Sequence, residues 1–130
     1  MAVFQQTLEK LQHFPLHPVA TESTTFTGAT TNIADLKDFD GDIQIILDSG
    51  AAAASGTMTG KIQDSADGST GWADVTGGGF TAAAANTAGF ATLILNSDIL
   101  RRYVRVLFTV TGGTGTGAAS VMGRGSAKYL

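Results

Sequence analysis

The spacing of apolar residues along the chain changes near residue 20. Before it, Phe4, Leu8 and Leu11 recur at helical spacing, and Pro15 and Pro18 close the segment. So short a helix is marginal alone, because the first turn is costly to form. It must dock on its own domain or on a neighbour. Residues 1–20 are therefore read as an N-terminal arm with the pattern of a short helix, and residues 21–130 as a separate domain.

Beyond residue 20 the period becomes two. In GDIQIILDS, Ile43, Ile45 and Leu47 alternate with Asp42, Gln44 and Asp48. In GTMTGKIQD, Met58 and Ile62 alternate with polar partners. The clearest case is RRYVRVLFTV, where Val104, Val106, Phe108 and Val110 share one face, and Arg105 and Thr109 the other. STTFTG, FATLILN and AASVMGRG complete the series, and glycine clusters separate its members. About eight short strands with turn signals between them predict an all-β fold, an antiparallel β-sandwich or jelly roll.

Two departures from alternation carry information. Leu107 falls on the arginine face, and TLILN is apolar on both faces. A sheet with one wet face has no use for either, so part of the outer surface is expected to be covered by the arm or by another subunit. The Ala/Gly-rich stretches at 51–56 and 81–89 lack large side chains and read as low-relief loops.

The chain's 130 residues suffice for one domain with a real core. With no cysteine, it has no disulfide, thiolate nucleophile or thiolate metal site. The opening residues lack the charge and apolar run of a secretory leader, and no apolar run approaches the ~18 residues of a membrane helix. The chain is expected to be soluble when made. A net charge of −3 gives no general attraction to nucleic acid or anionic lipid.

That charge is unevenly spread. All 11 acidic residues precede residue 99, while Arg101, Arg102, Arg105, Arg124 and Lys128 follow it with no acid among them. Such a chain suits contact with copies of itself or with a patterned neighbour; a solvated basic edge strand reads equally well.

The stretch KIQDSADGSTGWADVTGG invites a calcium reading. With Gly68 at the sixth position of an EF-hand loop, Gln63 and Ser65 stand where acids belong, and only Asp67 fits well. DFDGD at 38–42 places leucines at ligand positions. A tight hairpin turn needs only the Asp-Gly pair and its polar neighbours. No metal site or cofactor is assigned.

Catalysis finds no constellation either. His13 and His17 sit beside prolines, no Gly-x-Ser-x-Gly elbow occurs, and GRGS at 123–126 lacks the ending of a phosphate loop. The chain is expected not to be an enzyme. Tyr103 and Phe108 fall on opposite faces of their strand, so they form no base-stacking platform.

GKIQDSADGSTGWADVTGGGF followed by LRRYVRVLFTVTGG resembles, over residues 55–113, small structural proteins of tailed bacteriophages, the head decoration or cement proteins. The resemblance implies a jelly-roll-like fold and a place on the capsid exterior of the virion, after synthesis in the bacterial host cytoplasm. It implies the major capsid protein and further copies of the chain, as a homodimer or homotrimer, as partners, and neither nucleic acid nor membrane. The expected contact surfaces are the arm (Phe4, Leu8, Leu11, Phe14) and the strand bearing Arg101, Arg102 and Arg105. The alternative is a β-sandwich module of a phage tail or spike that recognises a host glycan through Trp72 or Tyr103.

Overall fold

The computed structural model describes residues 10–22, 26–27, 33–50, 57–83, 87–111 and 117–128. Nine strands occupy them: β1 (Leu11–Glu22), β2 (Phe26–Thr27), β3 (Ala34–Asp35), β4 (Phe39–Ser49), β5 (Thr57–Ser65), β6 (Ala73–Ala83), β7 (Gly89–Asn96), β8 (Tyr103–Thr111) and β9 (Gly117–Ala127). A single 3-10 turn, Ser97–Ile99, joins β7 to β8.

Two antiparallel sheets form. Sheet A has the order β1-β9-β4-β7, and sheet B the order β2-β8-β5-β6, with β3 also on β8. Since β2 and β3 meet the same strand at successive heights, they act as one interrupted strand, giving eight in two layers. Strand 1 pairs with 9, 2 and 3 with 8, 4 with 7, and 5 with 6. This is a long antiparallel hairpin rolled up on itself, the jelly roll expected from the sequence.

The alternation in the sequence becomes the core. Ile43, Ile45 and Leu47 from sheet A meet Met58, Ile62, Val104, Val106 and Phe108 from sheet B, all at most 2% exposed. Their outward neighbours Asp42 and Asp48 stay in water.

The arm is the main correction. Lys10 is still helical in backbone conformation, but Leu11 opens β1, so the proposed boundary at residue 20 falls inside a strand of the sandwich. Leu16 is fully buried in the core, and the ring of Phe14 meets Phe39 edge-on at 5.2 Å between centroids. The register with β9 shifts between Pro15 and His17, and Leu16 and His17 are both buried there. A bulge thus breaks the period of two that would have marked the strand. Pro15 and Pro18, terminators by sequence pattern alone, stand in an edge strand, where a missing N–H is tolerated.

Candidate functional site: the outer face of sheet A

Sheet B's outer face is closed on itself. Where β5 turns into β6, Ser65 is fully buried, accepts the Gly68 N–H at 3.1 Å and donates to the Thr70 carbonyl at 2.5 Å. Asp67 accepts the N–H groups of Thr70 at 2.8 Å and Ser69 at 2.9 Å, plus the Thr70 hydroxyl at 2.7 Å. Gly68 and Gly71 supply the left-handed backbone with φ of 77° and 66°. Thr70's N–H first, then that of Ser69 and the two hydroxyls, hold the Asp67 carboxyl far below the ordinary range. The stretch that invited a calcium reading is a hairpin turn whose carboxylate is engaged by the turn itself.

Arg101, Arg102 and Arg105 find partners on neighbouring strands. Arg101 Nε donates to Asp64 Oδ1 at 2.9 Å, and its terminal nitrogen to the carbonyls of Asp64 at 2.5 Å and Gly71 at 2.7 Å. Arg102 grips Asp35 at 3.0 and 2.9 Å, lowering the acid's pKa and raising its own. Arg105 donates twice to Gln63 Oε1. Two of the five basic residues after position 98 thus meet a carboxylate inside the fold, because rolling the hairpin lays the β8 segment against β3 and β5. All three arginines proposed as contact residues already have partners within the chain.

The two aromatic candidates are engaged as well. Arg105 lies 4.2 Å from the centre of the half-buried Trp72 ring, a cation–π stack. Arg102 lies 5.0 Å from the centre of Tyr103, and a Cβ at Gly68 would stand 3.1 Å from that ring. Beside them, Asp74 accepts from Lys61 at 2.8 Å and Gln63 at 2.9 Å.

Sheet A's outer face is different. Phe90 and Ile94 on β7 are 70% and 68% exposed, and Met122 on β9 is 40% exposed. The cross-strand register sets Ile46 beside Met122 and Thr92, and Gln44 between Arg124 and Ile94. A shallow depression of about 470 Å³ crosses this face, with Leu11 and Ile94 as apolar walls and Asp40, Asp42, Gln44 and Arg124 among its lining. Arg124 Nε donates to Gln44 Oε1 at 2.5 Å, and among the described residues no carboxylate pairs with it.

Of the predicted arm residues, Leu11 reaches this depression and Phe14 turns inward, where its ring covers Gly123. Phe4 and Leu8 lie outside the described residues. Sequence reasoning passed over Phe90, Ile94 and Met122. The signal was present in TLILN, whose apolar residues on both faces marked an outer surface needing cover.

The described residues contain no cluster of acidic and histidine side chains able to hold a metal, and no helix among them is long and apolar enough to cross a membrane.

No family model and no curated protein sequence matches the chain. Solved structures do. A chain from the crystal structure of the T13 infectious bursal disease virus particle superposes with a TM-score of 0.59 at 9% identity, over 90% of this chain and 31% of that one. The PBSX exported protein XepA gives 0.54 at 13% identity, over 92% and 38%. Eiger TNF from S. frugiperda gives 0.52 at 9% identity, over 89% of this chain and 90% of its own. The chain spans about a third of the length of the viral particle chains it matches. At these identities the likeness is one of fold: this chain shares its β-sandwich with proteins that build viral particles and with a TNF.

Proposed function

We propose that the chain is a structural virion protein that docks on the outside of a phage capsid and stabilises the shell by bridging major capsid subunits. The observation that carries this reading is the outer face of sheet A. Phe90, Ile94 and Met122 are exposed there on a sandwich whose other face is tied up in ion pairs and hydrogen bonds. A single exposed leucine would mean little, but several large apolar side chains on one face suit a protein partner.

The depression between Leu11 and Ile94, lined also by Asp40, Asp42 and Arg124, suits an apolar side chain flanked by polar groups. The fold shared with particle-forming chains and the resemblance over residues 55–113 support the same role. It calls for no catalytic group and no cofactor. A modest interface is sufficient, since a symmetric lattice repeats every contact many times over.

Copy number tests the role. Quantitative mass spectrometry of purified particles should find the chain in hundreds of copies, distributed with the major capsid protein. A handful of copies that fractionate with tails would reject it.

A further inference from the structure

Every sheet in an open sandwich has two edges, and each edge exposes backbone groups that can recruit another strand. Three of the four edges here are guarded. β1 carries Pro15 and Pro18 and two breaks in register. β2 and β3 are two residues long each. β6 carries three consecutive glycines, and its pairing with β5 shifts register twice.

The fourth edge, β7, has none of these devices. Its sequence GFATLILN holds no charge and no proline. Its eight residues pair with β4 in unbroken register from Gly89–Ser49 to Asn96–Asp42, and among the described residues β4 is its only strand partner. The core is also less closed here. Ala91 and Leu93 point inward but are only partly buried, whereas Ile43, Ile45 and Leu47 on the adjacent strand are at most 2% exposed.

We propose that the β7 edge binds the β7 edge of a second copy, antiparallel about a two-fold axis at Thr92, joining two A sheets into one of eight strands. Self-complementarity points to a copy rather than another partner. Around Thr92, each exposed Phe90 stands opposite the other copy's Ile94, and each half-covered Leu93 opposite the other copy's Ala91. The outer face pairs an aromatic with a β-branched side chain and the axis brings two threonines together, both favourable cross-strand pairs, while the inner face sets a large side chain against a small one. A strand with no charge sets no like charges against each other. The joined sheet presents one continuous outer face, doubled in width. The proposal stands apart from the capsid reading, since it concerns the purified chain alone.

Sedimentation equilibrium on the full-length chain, with three variants, tests it. The wild type should dimerise. Thr92→Lys, an outward-facing change that keeps the fold by circular dichroism, should raise the dimer dissociation constant by about tenfold or more. Thr76→Lys, exposed on β6, should leave it unchanged. Because the chain has no cysteine, Thr92→Cys should yield a disulfide-linked dimer on mild oxidation. A wild type that stays monomeric, or a dimer indifferent to Thr92→Lys, overturns the proposal.

Discussion

Arg101 and Asp64 are joined through both oxygens of the carboxylate. Asp64, with a side chain only 11% exposed, takes the Arg101 backbone N–H at 3.1 Å on one oxygen and the guanidinium on the other. The same guanidinium reaches back to the Asp64 carbonyl and across to that of Gly71. One side chain therefore fastens the start of β8 to the end of β5 and to the β5–β6 turn. Asp64→Ala leaves the guanidinium without its counter-ion and should cost about 2–3 kcal/mol, read as a lower urea midpoint with unchanged slope. A loss within 0.5 kcal/mol, the size of an ordinary surface change, would show that the pair contributes little.

Gly123 owes its place to Phe14. A Cβ there would enter the Phe14 ring, so Gly123→Ala should destabilise by about 1–3 kcal/mol through overpacking, and Phe14→Leu should recover part of the loss. Chemical denaturation of the single and double variants measures both effects. Equal losses in the single and double variants would mean that the ring is not the obstacle.

Truncation separates arm from strand. Removing residues 1–9 leaves β1 whole, so the domain should melt at an almost unchanged temperature. Removing residues 1–18 also takes Leu16 out of the core and should cost several kcal/mol, enough to threaten a domain of ordinary stability. If the longer truncation melts like the full chain, β1 is not part of the domain.

Acid should act through the turn and the ion pairs. Asp67 is held low by the Thr70 N–H above all, Asp35 by Arg102 and Asp74 by Lys61. A carboxyl depressed in the folded state adds stability above its unfolded pKa of about 3.9 and loses it as pH falls towards the folded value. The urea midpoint should therefore not fall on these groups' account between pH 7 and 5 and should drop below about pH 4. Asp67→Asn should flatten that drop, and a midpoint that rises below pH 4 contradicts the assignment.

Trp72 reports on the glycan alternative. Arg105 stacks on the half-buried ring, so Arg105→Ala should shift the emission to longer wavelength as water replaces the cation. Titration with sugars should leave the wild-type emission unchanged. Saturable quenching by one sugar would restore the binding-module reading.

How far the sequence could be read follows from where its periods were clean. Ile43–Leu47 and Val104–Phe108 each keep every second residue apolar, with Ile46 and Leu107 as the single departures, and both form core strands. β1 escaped because the bulge near Leu16 buries two neighbours in a row and because prolines look like stops until the strand is known to be an edge. β6 was cut short because TAAAAN has no side chain large enough to show a face, yet the strand runs to Ala83. Arg105 on β8 and Arg101 and Arg102 just before it stand out in the sequence as a free basic cluster, since no local pattern reveals that Gln63, Asp64 and Asp35 will be their neighbours. Long-range pairing decided that, and the chain shows it only once rolled.

The proposed capsid-docking role is tested most directly by co-sedimenting purified protein with expanded and unexpanded heads of a tailed phage that carries this sequence, counting copies bound per head. The account predicts saturable binding of hundreds of copies, favouring expanded heads and lost when Ile94 and Met122 are both replaced by Glu. Absence of binding to either form, or binding indifferent to those two changes, would contradict it.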